Sequence, residues 1–329
     1  MIFRTEVAIP DKDFKIKLSD SLLLIGSCFA QNIGEHLQKR KLSCDINPFG
    51  VLYNPESIRI ALSLIAAGTW NPDDRLIGSD GTRWFSWLHA GNFAAESRDA
   101  CIAGIERRLT HAHDLLKKEG ILTLTFGTNR HYILKDTGLT VGNCHKQPAN
   151  RFDVKDETPE EIIQSYTPLL EQLFEQYPGL RILFTVSPYR YAKYGYHGNQ
   201  LSKAALLLAV DGLVRKFRGR CFYFPAYEIV LDELRDYRFY TEDMLHPSAQ
   251  TISYLWEKFA ACYFEKQASY FFAAWESVLQ ALEHRPLNPS SAEYRAFVHK
   301  IVLKIEGLRK KYPNLDAQNE INELTSRIK

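Results

Sequence analysis

Short, mostly apolar runs recur along the chain at residues 22–25, 122–126, 182–186 and 221–224, with a weaker one at 43–46. Longer stretches with helical spacing lie between and after them, at 30–39, 55–67, 100–118, 159–176, 202–217 and 249–264. The runs at 22 and 182 are largely apolar rather than alternating, the pattern of strands covered on both faces. Asn54-Pro55-Glu56 and Thr158-Pro159-Glu160 each set a capping residue before a proline at the first helical position, with acid in the first turn. Strand and helix in alternation predict an α/β protein: a three-layer α/β/α sandwich around a mainly parallel sheet.

The pattern changes near residue 266. Residues 268–283 and 292–311 are long amphipathic stretches separated by Arg285-Pro286-Leu287-Asn288-Pro289-Ser290, and a polar last helix begins near Leu315. The expected organisation is a catalytic domain over 1–265 and a helical hairpin extension over 266–329. The cluster Tyr270, Phe271, Phe272 and Trp275 is expected to pack on the main domain, with a homo-oligomer through these helices as the competing use.

With a formal charge of +2 and basic residues spread along the chain, nothing electrostatic points to nucleic acid or an anionic membrane surface. The start, Met1-Ile2-Phe3-Arg4-Thr5-Glu6, lacks the apolar core of a secretory signal, and no run of about eighteen apolar residues follows. The six cysteines form no C-x-x-C pair and read as reduced thiols, so the expected compartment is cytoplasmic.

Two segments more than two hundred residues apart carry the chemistry. Gly26-Ser27-Cys28-Phe29-Ala30 follows the first apolar run, and Asp243-Met244-Leu245-His246-Pro247-Ser248 precedes the last helix of the main domain. A serine at a strand-to-helix junction projects at the carboxyl edge of the sheet, beside the unpaired N–H groups of the first helical turn. The same placement also serves a plain helix cap. An acid and an imidazole three residues apart can pair through Nδ1 and leave Nε2 to take a proton, although a solvated surface loop looks the same in sequence.

Together the two segments resemble the SGNH hydrolase superfamily, and Gly-Ser-Cys-Phe-Ala is the signature of the GSCFA family, which the chain resembles over nearly its full length. Asn47-Pro48-Phe49-Gly50, Asn143-Cys144-His145-Lys146, Val186-Ser187-Pro188 and Asn199-Gln200-Leu201-Ser202-Lys203-Ala204 carry the same resemblance in order. It implies a serine esterase with Ser27 as nucleophile, His246 as general base and Asp243 as its orienter. The oxyanion hole it implies combines the N–H groups of Ser27 and Gly50 with the amide of Asn129, for which Asn47 and Asn143 compete. Tyr189-Arg190-Tyr191 departs from the family's Ser-Pro-Val-Arg-His: Arg190 remains a substrate or structural cation, and Tyr191 stands where a histidine is common.

Other residues carry two readings each. Cys28 at a helix start is an alternative nucleophile, or else core. His145 and His89 are substrate-binding candidates or structural hydrogen-bonders, His89 following the aromatic Trp84-Phe85-Ser86-Trp87-Leu88. His111 and His113 face different directions on a helix, so no metal is expected, and no nucleotide motif or other cofactor signal is present. The expected function is hydrolysis of a small acyl ester, with an O-acetylated carbohydrate as first substrate class. O-acyl transfer at the same site, a non-catalytic glycan- or metabolite-binding module and an assembly adaptor are the alternatives.

Overall fold

The computed structural model describes residues 4–10, 14–71 and 73–328, so Met1, Ile2 and Phe3 of the N-terminal segment and the final Lys329 lie outside the described residues. The strands are β1 (Leu22–Gly26), β2 (Cys44–Ile46), β3 (Ile77–Ser79), β4 (Trp84–Ser86), β5 (Ile121–Phe126), β6 (Arg130–Leu134), β7 (Leu139–Val141), β8 (Phe152–Asp156), β9 (Arg181–Val186) and β10 (Cys221–Phe224). The helices are α1 (Cys28–Lys39), α2 (Pro55–Ala67), α3 (Arg98–Leu116), α4 (Pro159–Gln176), α5 (Gly195–Lys216), the short α6 (Ala226–Glu228), α7 (Ala249–Tyr263), α8 (Lys266–Glu283), α9 (Ala292–Lys311) and α10 (Gln318–Ser326).

The five apolar runs pair in parallel in the order β10-β9-β5-β1-β2. Side chains alternate across this sheet and feed two cores. Leu23, Ile25, Leu122, Leu124, Ile182 and Phe184 meet α2, α3, α4 and α5 on one face. Leu22, Leu24, Ile121, Leu183 and Phe224 meet α1, α7 and the C-terminal helices on the other. The architecture is therefore the expected three-layer sandwich. From β1 the chain moves outward to β2 and then returns past β1 to β5, so the topology reverses between β1 and β5. Ligands of open parallel sheets bind where this reversal parts the loops, at the carboxyl ends of the strands.

Two antiparallel additions were not foreseen: the hairpin β3-β4 and the three-stranded sheet β7-β6-β8. Their strands are short and half exposed, β8 burying only Phe152, so they lack the continuous apolar signal of the central strands. In α8, Phe271, Phe272 and Trp275 turn inward onto α1 and α7 as expected, whereas Tyr270 is 70 % exposed. No helix among the described residues is long and apolar enough to cross a membrane.

Candidate active site

The turn from β1 into α1 requires its glycine. Gly26 has φ of +147°, and a Cβ there would lie 2.3 Å from the Thr125 carbonyl oxygen on β5. The Gly26 N–H donates to Asn47 Oδ1 (2.9 Å), and Asn47 Nδ2 donates to Gln31 Oε1 (3.4 Å), so Asn47 braces the turn from beneath. Ser27 is the N-cap: its Oγ accepts the Phe29 N–H (3.3 Å), its own N–H donates to Thr125 O (3.2 Å), and the residue is 0 % exposed. Cys28, the first residue of α1, is half-buried, with its thiol in electrostatic reach of Lys203, Tyr53, Tyr189 and Tyr191. Burial raises its pKa, opposed by its own N–H, the Lys203 ammonium and the Phe29 N–H.

Across the carboxyl edge of the sheet, Asp243 and His246 form the expected pair, with His246 Nδ1 donating to Asp243 Oδ2 over 2.5 Å. Asp243 Oδ1 also accepts from Thr241 Oγ1 (2.7 Å), Leu245 N–H (2.8 Å) and His246 N–H (3.0 Å). The His246 N–H and ring, then Thr241 and Leu245, hold the Asp243 carboxyl well below the usual carboxylate range. The bond at Nδ1 sets the tautomer and leaves Nε2 as the basic ring nitrogen.

Arg190 secures this loop rather than offering its charge to a ligand. Its N–H donates to Leu245 O (3.2 Å) and its Nη1 to Met244 O (2.9 Å), while the guanidinium lies over the rings of Tyr196, Tyr237 and Tyr240. Tyr189 bridges the two halves of the site: its ring sits 4.4 Å from that of His246, and its hydroxyl is in electrostatic reach of both Asp243 and Cys28. Among the described residues no hydrogen bond joins His246 to Ser27 or to Cys28.

The expected oxyanion donors are each hydrogen-bonded within the protein. The Gly50 N–H closes a turn onto Asn47 O (2.7 Å), Asn129 Nδ2 donates to Glu157 O (2.8 Å), and the Ser27 N–H is held by Thr125. Three of the substrate-binding candidates are also structural. His89 is buried, bonded through Nδ1 to Ser86 Oγ (2.8 Å) and stacked on Phe49, and burial lowers its pKa to about 3. His145 stacks on Phe85 with Nε2 against Ser86 O (2.9 Å), and Asn143 Oδ1 accepts the His145 N–H (2.7 Å). Each polar group is in place because an unpaired one in the interior costs more than the bond itself returns.

The residue that sequence reasoning missed is Lys203. It is 1 % exposed, and its Nζ donates to Gly127 O (2.6 Å) and Ser187 O (2.7 Å), tying together the loops that leave β5 and β9. Burial lowers its pKa to about 7, opposed by Cys28. A signal existed: Asn199, Ser202, Lys203, Leu206, Val210 and Leu213 mark one buried face of α5, and a lysine on such a face must turn inward. Its neighbours on α5 complete the tie, Asn199 Oδ1 accepting the Tyr191 N–H (2.9 Å) and Ser202 Oγ the Asn129 N–H (3.0 Å). Among the described residues the buried Tyr191 hydroxyl has no hydrogen-bond partner. A cavity of about 940 Å³ between α1, α7 and α8 meets the His246 loop at Pro247.

Comparison with known proteins agrees with the signature at the β1–α1 turn. Residues 21–259 match the model of the GSCFA family, and residues 275–329 match that of the GSCFA domain protein, C-terminal domain. No curated protein matches the chain.

Proposed function

The chain belongs to the GSCFA family, and from that premise we propose that it is an SGNH-like hydrolase that cleaves or transfers a small acyl ester group. His246 is the general base, Asp243 its orienter, and the nucleophile comes from the β1–α1 turn. The observation that carries this reading is the 2.5 Å Asp243–His246 contact on a loop that Arg190 pins over the sheet's carboxyl edge. Ser27 is the nucleophile implied by the family resemblance, but it is buried and acts as the helix cap, whereas Cys28 beside it is half-buried and faces the tyrosines of the site.

In the reaction, the nucleophile attacks the ester carbonyl as His246 Nε2 takes its proton. The imidazolium, steadied by Asp243, returns that proton to the leaving alcohol. Water then releases the acid, or an acceptor hydroxyl takes the acyl group. The tyrosines after β9 offer ring faces of the kind that stack on sugars, which supports an O-acetylated carbohydrate as the substrate class.

Hydrolysis of p-nitrophenyl acetate and of acetylated sugars tests the reading. His246→Ala is expected to lower kcat/KM by about 10²- to 10⁴-fold and Asp243→Asn by a smaller factor, with the fold intact by circular dichroism. Folded wild type that turns over none of these esters overturns it and favours a binding module.

A further inference from the structure

We propose that Cys28 is the nucleophile and that Lys203 and Tyr191 form the site that receives negative charge during its reaction. This deepens the reading above and rests on it for the acyl chemistry alone. Three observations converge. Of the two candidate side chains in the turn, Ser27 is sealed and its Oγ occupied by the Phe29 N–H, whereas the Cys28 thiol is half-buried at the start of α1. Lys203 is a fully buried cation with no carboxylate partner among the described residues. An ammonium has three N–H donors, and two of those on Lys203 are spent on the Gly127 and Ser187 carbonyls. Tyr191 brings a buried hydroxyl with no hydrogen-bond partner among the described residues to the same place, its ring 5.2 Å from Lys203 Nζ.

The sheet explains the meeting. β1, β5 and β9 are neighbours, and Cys28, Gly127 and Ser187 follow their carboxyl ends. Lys203 from α5, Tyr53 from the segment before α2, and Tyr189 and Tyr191 from the loop after β9 lie in electrostatic reach of the thiol. None of these four is a carboxylate, and Lys203 is the one among them that carries a charge opposite to an anion there. A buried ammonium held by two carbonyls and two tyrosine rings but no carboxylate is costly to retain, and such groups gather at functional sites.

The step balances as follows. The Cys28 S–H proton passes to His246 Nε2 and sulfur bonds to the acyl carbon. The carbonyl π pair moves onto oxygen, where the free Lys203 N–H and the Tyr191 O–H stabilise it. Collapse breaks the carbon–oxygen ester bond, the leaving alkoxide takes the proton from His246, and a Cys28 thioester remains. Water, deprotonated by His246, cleaves the thioester to a carboxylate and restores the thiol.

The test uses the full chain with two independent readouts. The first is peptide mapping by mass spectrometry after brief exposure to p-nitrophenyl acetate, on wild type, Ser27→Ala and Cys28→Ala. Acetyl on Cys28, kept in Ser27→Ala and lost in Cys28→Ala, is expected; acetyl on Ser27 overturns the proposal. The second is the pH profile of Cys28 alkylation by iodoacetamide, which needs no acyl chemistry. Near and below pH 7, where Lys203 keeps its proton, Lys203→Met is expected to slow Cys28 alkylation about tenfold, and an unchanged profile in a folded variant overturns the proposal. Should Lys203→Met not fold, Tyr191→Phe decides: deleting an unpaired hydroxyl leaves stability unchanged or higher, while kcat for acetyl transfer falls on the order of 10²-fold at constant KM. An unchanged kcat counts against the proposal. Slowed alkylation in Lys203→Met with no acetylation anywhere sinks the acyl-ester reading and supports the Cys28–Lys203 pair.

Discussion

Lys203 makes the pH dependence of stability readable at a single residue. Its folded pKa is lowered to about 7 by burial, while a lysine in the unfolded chain titrates near 10.4. Above pH 7 the unfolded state therefore binds the extra proton, and stability rises with pH. The rise is at most about 1.4 kcal/mol per pH unit. It is cleanest between about pH 7 and 8.5, because above that range unfolded cysteines ionise while burial holds the Cys28 thiol protonated, which reverses the slope. Urea midpoints across this window should climb for wild type and stay flat for Lys203→Met. A parallel climb in both would assign the slope to another group. Histidines act on the other side of neutrality. Burial lowers His89 to about 3 and His36 to about 4, so stability should drop as pH falls below about 6.5, where the unfolded histidines gain charge and the folded ones do not. His89→Gln should blunt that loss, measured as the acid shift in melting temperature.

At the scale of elements, the β1–α1 turn and the His246 loop have separate supports, and substitutions should separate them. Ser27→Ala removes an N-cap and should cost about 1 kcal/mol of stability, readable from a denaturant titration. Gly26→Ala is predicted to be far worse, since its Cβ would lie 2.3 Å from Thr125 O and demand a φ that alanine avoids; expression in inclusion bodies or a strongly lowered melting temperature would show it. Arg190→Lys keeps the charge but loses the planar contact with three tyrosine rings and Met244 O. The loop should loosen, lowering kcat with little change in melting temperature, and amide exchange at Leu245 and His246 should quicken. These supports also show what a sequence reader can see. The buried strands and the acid–imidazole pair were legible, because continuous apolar runs and a three-residue spacing are local signals. The partners of Asn129 and Arg190 were not, since each is bonded to a group that the topology, not the neighbouring sequence, brings near. The cap geometry at Ser27 was not legible either, since it is the fold of the β1–α1 turn that buries Ser27 and leaves Cys28 half-buried.

At the scale of the whole molecule, the C-terminal helices are a structural part of the layer that carries the site. Trp275 is 0 % exposed and donates its indole N–H to Lys39 O at the last turn of α1 (2.9 Å), while Arg40 pairs with Glu276 (2.9 Å). Phe271 and Phe272 extend the same core past Trp256 and Phe264. The end of α1 is thus clamped by α8, and its beginning bears Cys28. Deleting residues beyond 266 would uncover that shared core, so loss of a dimer in such a truncation would not identify the helices as an interface. Trp275→Ala is the sharper change. It opens a cavity where α8 meets α1 and should cost about 3–5 kcal/mol, a large share of a typical domain's stability. Its effect should reach the site as well: with α1 less firmly held, Cys28 alkylation should lose its dependence on Lys203 before the protein unfolds globally. Alkylation profiles at increasing urea would reveal this as a change that precedes the loss of far-ultraviolet signal in Trp275→Ala and coincides with it in wild type. If both proteins lose the two signals together, α8 contributes to overall stability alone and the clamp has no bearing on the site.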